Sequence, residues 1–466
     1  MKFRTLITVL TIAVAGQVAA PPLGATGGLP TAALPGSAPQ ATPAASPIDG
    51  ARSRWEISCN IRKDKFDFVL PKAMRANNID VWIVIDRGRG TQPMTMDFAI
   101  STINGQGFFV FIDRGGDRIE RLQLGGETDL ARACGAYDEF RRRGDLRSIV
   151  LERDPQRIAL NYLELPNSNE GQHVADGLTH TDFKFLSDEL GEPYASRFVS
   201  AQRLIADFRG ERVALELVEF AKVGELTSSY IERALSNEVI TPGVTTHNDV
   251  AWWLEEQRER MGLLRTWYPT VYTHLPDGDE IGGTDRVIQR GDVLQIDWGL
   301  QRNNFATDIK RFAYVLREGE TEVPPGIQNA FDESVRVRRI IRNNVRSGRT
   351  GREQIDALKQ IIRDAGYVYT ERERASDVEG IEVNVGMHAA GNIGHDMAAS
   401  LFEIFPIRTE YMVRPNNIIS LEFIVFTPAP EWNGAKVPVN VEENAVITER
   451  GIEWLYPPQM RVQVIR

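Results

Sequence analysis

The stretch Val293-Leu294-Gln295-Ile296-Asp297-Trp298-Gly299 is an apolar run that ends in one acid and one glycine. Asp308 follows eleven residues later, in Thr307-Asp308-Ile309-Lys310-Arg311, and residues 312–316 form a second apolar run. Two strands joined by a short loop make a hairpin, and acids on adjoining strands can lie side by side across the ladder. Such carboxylates repel each other until a divalent cation sits between them.

A second hairpin repeats the design. Ile419-Ser420-Leu421-Glu422-Phe423-Ile424-Val425-Phe426 is an apolar strand interrupted by one Glu, and Val437-Pro438-Val439-Asn440-Val441-Glu442-Glu443 is its expected partner. Alternation puts Val437, Val439 and Val441 on one face and Asn440 and Glu442 on the other. A Glu inside an apolar strand is costly to bury unless it is paired or bound to a metal. Between the hairpins lies Gly386-Met387-His388-Ala389-Ala390-Gly391-Asn392-Ile393-Gly394-His395-Asp396, which holds two of the chain's six histidines. Neutral imidazole is the commonest nitrogen ligand for transition metals.

Each hairpin follows a helix signal. A long helix is expected over 211–237. After the Pro242-Gly243 turn, Thr246 with Asp249 fits an N-terminal capping box, as Thr350 with Glu353 does after Gly348. The recurrence suggests duplicated halves. Residues 336–352 are Arg-rich, with Val337, Ile340, Ile341 and Val345 at helical spacing, so one buried and one solvated helix face is expected. Upstream, 64–77 reads as a helix broken at Pro71, and 81–85, 108–112 and 157–160 read as buried strands of an α/β domain.

Bulk properties narrow the function. A 42% hydrophobic fraction leaves room for a sizeable core. The net charge of -10 lacks the basic footprint of a nucleic-acid binder. Lys2 and Arg4, an apolar stretch over 6–16 and Gln17-Val18-Ala19-Ala20 read as a signal peptide over 1–20. The apolar run is shorter than the roughly 20 residues of a spanning helix, so an exported protein, periplasmic or secreted and free of the membrane after cleavage, is expected. Residues 21–50, rich in Pro, Ala and Gly, read as a disordered linker. Cys59 and Cys134 are the only cysteines; an oxidising compartment permits a disulfide, and the sequence leaves their pairing open.

In chain order the chemistry-bearing residues are Asp, ten residues, Asp; then His-x-x-Gly-x-x-x-His-Asp; then Glu within a strand; then Glu ahead of a final apolar strand. This resembles the pita-bread metallopeptidases, among them methionine aminopeptidase, aminopeptidase P, prolidase and creatinase, from about residue 205 to the end. The region 51–200 resembles the N-terminal domain of the creatinase, prolidase and aminopeptidase P branch. The resemblance implies an α+β chain with a pita-bread catalytic domain over 201–466. It makes Asp297 the bidentate ligand of one metal, Asp308 and Glu442 bridges between two metals, and His388 and Glu422 the rest of the second set. His395 would face substrate, and Glu422 would carry the proton from a hydroxide-generating water to the leaving nitrogen. The oxygen-rich set implies two divalent ions, Mn(II) foremost, with Co(II), Fe(II) or Zn(II) as alternatives. The implied activity is that of an Xaa-Pro aminopeptidase or dipeptidase on a small peptide; homodimers are common in this branch.

The sequence departs from the branch in places. Asn440 stands where the branch carries an Arg two residues before the final Glu. His274, a candidate catalytic histidine in the loop before the first Asp, lies further upstream than the family spacing, which suggests an insertion over 277–283. Met397-Ala398-Ala399-Ser400 and Phe423-Ile424 replace glycine- and proline-containing turns. A creatinase-like C–N hydrolase or a lyase on the same scaffold is the alternative; a non-enzymatic binding module is opposed by the presence of all five ligand residues.

Overall fold

Every residue of Val81–Asp86 and Gly107–Ile112 is buried, as continuous apolar strands covered on both faces require. In the computed structural model the described residues are 50–466, apart from 89–91, 100–105, 127, 165–171 and 277–279. The expected signal peptide, nearly all of the expected linker and the first part of the expected insertion lie outside them.

The two strands sit at the centre of a six-stranded mixed sheet, ordered Glu139–Arg141, Glu120–Leu124, Gly107–Ile112, Val81–Asp86, Ile158–Leu160, Phe198–Ser200. Alternate side chains part to opposite faces. Trp82 and Val84 join a core with Phe66 and Leu70, while Val81, Ile83 and Ile85 join one with Leu146, Val150 and Leu186. The helix carrying Phe66 begins at Ala51, not at 64 as the sequence suggested, and is continuous through a π-helical turn, Lys65–Val69, into Leu70–Ala76. Pro71 accounts for that turn. Its ring has no N–H and crowds the carbonyl one turn back, so the helix widens ahead of it instead of breaking. Cys59 and Cys134 are joined, with Cα atoms 5.4 Å apart, tying this helix to Asp129–Cys134.

The C-terminal half is an eleven-stranded sheet whose central path runs Val368–Tyr369, Glu382–Val385, Asn417–Pro428, Lys436–Ile447, Ile309–Val315, Val293–Trp298, Thr270–His274, Glu280–Gly282. One helix pair, Ala214–Ala234 and His247–Met261, supplies Phe220, Val223, Val250 and Leu254 to a core with Leu294, Ile296, Ala313 and Val315. A second pair, Pro325–Asn344 and Gly351–Asp364, supplies Val337, Ile341, Ile355 and Leu358 against Leu421, Phe423, Val439 and Val441. Both expected capping boxes form: the Thr246 and Thr350 hydroxyls accept from the Asp249 and Glu353 amides at 3.1 and 3.2 Å. The arginine-rich helix ends at Asn344; Val337 and Ile341 are buried and Arg336 and Arg339 exposed, as expected, whereas Arg338 is buried. The face opposite Leu294, Ile296, Val439 and Val441 carries the row of polar side chains that forms the site. No helix among the described residues is long and apolar enough to cross a membrane.

Candidate metal centre

Strand register assembles the site. Thr270 lies opposite Asp297, Asp297 opposite Lys310, Lys310 opposite Glu442, and Glu442 opposite Glu422, in one row across five strands. Residues paired across a ladder point to the same face, so the row places three acids and one lysine side by side. Asp308 precedes Ile309–Val315 by one residue and shares the face of Lys310; its backbone N–H donates to Asn444 Oδ1 at 2.8 Å. His388 enters from the short strand His388–Ala389, paired opposite Ser420.

All five expected metal ligands converge. Three groups each offer ligand atoms within 4.8 Å of one another: Asp297, Asp308 and Glu442; His388, Glu422 and Glu442; Asp308, His388 and His395. The Nε2 of His388 lies 3.5 Å from Glu442 Oε1, 3.7 Å from Asp308 Oδ2 and 3.8 Å from Glu422 Oε2. It is buried and has no hydrogen-bond partner, although a buried ring nitrogen is ordinarily satisfied. His395 stacks on His388 with ring centroids 4.0 Å apart, and its Nε2 is 3.4 Å from Asp308 Oδ2.

The loop that carries His395 is pinned by the next residue. Asp396 is buried and receives Arg209 Nη1 and Arg212 Nη2 at 2.8 Å each, and the Asn392 and Met397 amides at 2.8 Å each. Burial alone would raise its pKa; the two guanidiniums outweigh that and hold the carboxyl well below its usual range.

Burial and the mutual proximity of the acids set the electrostatics of the row. Burial, then the neighbouring acids Glu442 and Glu422 against the opposing Lys310, push Asp297 up to about 6. Asp308 is pushed well above its usual value by burial and by Glu442 and Asp297. Glu442 goes the other way, because Lys310 and the His388 ring outweigh its burial. Lys310, whose burial alone would favour the neutral amine, is held well above the ordinary lysine value by Asp297, Glu422, Glu442 and Asp308. His395 is lowered to about 3, mainly by His388.

Lys310 was not singled out in the sequence. Its Nζ lies 3.2 Å from Asp297 Oδ2 and 2.8 Å from Glu422 Oε1, and also contacts Glu442 Oε2. The available signal was its position two residues after Asp308, which in a strand means the same face. His274 differs from expectation in another way. It is the last residue of Thr270–His274, not a loop residue, and pairs opposite Val293 rather than Asp297. Its Nε2 is 2.9 Å from Gln295 Oε1, and burial lowers its pKa to about 4. It belongs to none of the three ligand groups. Asp297, Lys310, Glu422, His274, Tyr272 and Asn440 line a cleft of about 440 Å³ in front of the row.

Residues 219–449 match the signature described as Metallopeptidase family M24. No curated protein matches the sequence. Among solved structures, an X-Pro aminopeptidase from Thermotoga maritima is 18% identical, with a TM-score of 0.58 over 84% of this chain and 99% of that one. An Xaa-Pro dipeptidase from Bacillus anthracis is 16% identical, with a TM-score of 0.57 over 87% and 99%. An Escherichia coli aminopeptidase P is 13% identical, with a TM-score of 0.55 over 83% and 94%. At these identities the likeness is one of fold, and it extends over the N-terminal sheet as well as the pita-bread half.

Proposed function

Because the chain carries a metallopeptidase family M24 domain over residues 219–449, we propose that it hydrolyses the Xaa-Pro bond of a small peptide, as an aminopeptidase or dipeptidase, in the cleft fronted by Asp297, Lys310 and Glu422. The observation that carries this reading is the convergence of Asp297, Asp308, His388, Glu422 and Glu442, distant in sequence, on one face of one sheet. The donor set fits a divalent cation. A buried imidazole nitrogen without a partner faces three carboxylate oxygens, and such a set of hard donors suits Mn(II) foremost. A cation bound there supplies Lewis acidity, polarising a carbonyl and acidifying water.

The chain's own groups supply the rest. Glu422, partly exposed at the cleft, is placed to take a proton from the attacking water and return it to the leaving nitrogen. His395 is neutral at ordinary pH, so its ring can donate to the oxyanion of the tetrahedral intermediate. Asn440 lines the same cleft, a neutral side chain where the branch carries a cation. The relatives' printed names, X-Pro aminopeptidase and Xaa-Pro dipeptidase, support the substrate class. An exported protein is supported by the signal-like N-terminus and by the joined Cys59–Cys134 pair, which an oxidising compartment sustains.

A panel of Xaa-Pro dipeptides, longer Xaa-Pro peptides and non-proline controls, with added Mn(II), tests the reading. Cleavage at Xaa-Pro bonds is expected. Absence of turnover on every peptide by metal-loaded, folded protein would remove it.

A further inference from the structure

Most oxygens of the acidic row turn in one of two directions, while Asp297 Oδ1 has no hydrogen-bond partner. Asp297 Oδ2, Glu422 Oε1 and Glu442 Oε2 turn toward the ammonium of Lys310. Glu422 Oε2 and Glu442 Oε1 turn instead toward His388 Nε2, where Asp308 Oδ2 joins them. In that second cluster the carboxylate oxygens stand 3.5–3.8 Å from the nitrogen. Ligands held about 2.0–2.2 Å from a four-coordinate metal lie about 3.3–3.6 Å from each other, so each of these three contacts to the nitrogen has about the length that two ligands of one ion keep.

Lys310 has little freedom to be elsewhere. Its strand position sits between Asp297 and Glu442 in the ladder. The neighbouring Arg311 points through the other face, where it meets Glu443 at 2.9 Å and the Ser228 hydroxyl at 2.6 Å. A one-residue slip that removed Lys310 from the row would carry Arg311 out of this buried pairing. Charge points the same way. Four carboxylates, one ammonium and one divalent ion leave a single residual negative charge. A second divalent ion would have to share these carboxylates at contact distance from a buried ammonium that it repels.

We infer that Lys310 takes the place of one cation of the two-metal pattern, so this chain holds a single divalent ion, between Asp308, His388, Glu422 and Glu442. The inference rests on the metallopeptidase reading of the site. Asp297 then partners the lysine rather than a metal.

Metal content of the full-length purified chain, dialysed against Mn(II) or Zn(II) and read by elemental analysis and titration calorimetry, tests it. Wild type should hold one ion, Lys310→Arg one, and Lys310→Thr two. Asp297→Asn should keep the single ion, with affinity falling by no more than the roughly 10–100-fold that loss of an outer-shell partner brings, and Asp308→Asn should lose it. Zero or two ions in wild type overturns the inference, whether or not any variant folds. So does a folded Lys310→Thr with unchanged content, or loss of the ion in Asp297→Asn. A single ion together with no turnover of any peptide would instead strike at the peptidase reading and leave the inference standing.

Discussion

Two ion pairs sit one residue apart on the same two strands, and they face opposite ways. Lys310 borders the cleft with Glu442 buried beside it, while Arg311 and Glu443 turn to the helices. The Arg311 pair is enclosed: both side chains are fully buried, Ser228 and the Gln459 amide take up further bonds, and Arg338 lies 3.6 Å from the same carboxylate, although Arg311 Nε and Glu443 Oε2 have no hydrogen-bond partner. The Lys310 pair is open. It borders the cleft, shares its ammonium among three acids and sits beside a buried histidine nitrogen and an Asp297 oxygen that have no hydrogen-bond partner. An enclosed pair of this kind holds register; unpartnered polar atoms beside a cleft mark a candidate ligand site.

Breaking the open side should act on chemistry first. His388→Ala should abolish peptide turnover and metal retention while leaving the far-ultraviolet spectrum unchanged, since it vacates the nitrogen that no protein group satisfies. Near-normal turnover in a metal-loaded His388→Ala protein would contradict the site. Breaking the closed side should act on stability. Glu443→Ala leaves Arg311 and Arg338 buried without their carboxylate, and loss of one partner of such a pair costs about 3–5 kcal/mol, measurable by urea unfolding. A loss below 1 kcal/mol there would mean that the two faces do not differ as described.

Away from both pairs, the covalent tie between Cys59 and Cys134 closes a 75-residue separation. By the loop-entropy estimate its removal costs about 4 kcal/mol. Thermal unfolding of Cys59→Ser/Cys134→Ser should show this as a lowered midpoint with the metal content unchanged.

A smaller effect belongs to His274. In the fold its pKa is about 4, against an unfolded value near 6.5. As pH falls through 6.5 the unfolded chain takes up a proton that the folded ring refuses until about 4. Stability from this group is therefore complete above 6.5, falls across the window and is lost below 4, by about 3 kcal/mol at the limit. Asp297, raised to about 6, acts in the opposite sense over part of the same range. The quantity to measure is accordingly the difference between wild type and His274→Gln in unfolding free energy at pH 7 and pH 4.5. Equal slopes in both proteins would contradict it.

Much of this was legible in the sequence because it is local or periodic. The caps at Thr246 and Thr350, the alternation that separates Val439 and Val441 from Asn440 and Glu442, and the acid and histidine spacing all lie within short windows. What escaped depends on distant pairings. Lys310 reads as an ordinary strand lysine until the register sets Asp297 on one side of it and Glu442 on the other. The meeting of Cys59 with Cys134, and the satisfaction of His274 by Gln295, likewise require the fold. Pro71 was recognised as a disturbance, but only the packed helix shows that a π-turn absorbs it.

Anomalous diffraction from crystals soaked in Mn(II) or Zn(II) would test the central claim most directly. The account predicts one peak per chain, within about 2.5 Å of His388 Nε2 and of an oxygen each from Asp308 and Glu442, with the Lys310 ammonium still between Asp297 and Glu422. No peak in the cleft, or a peak seated on Asp297 with Lys310 swung away, would contradict it.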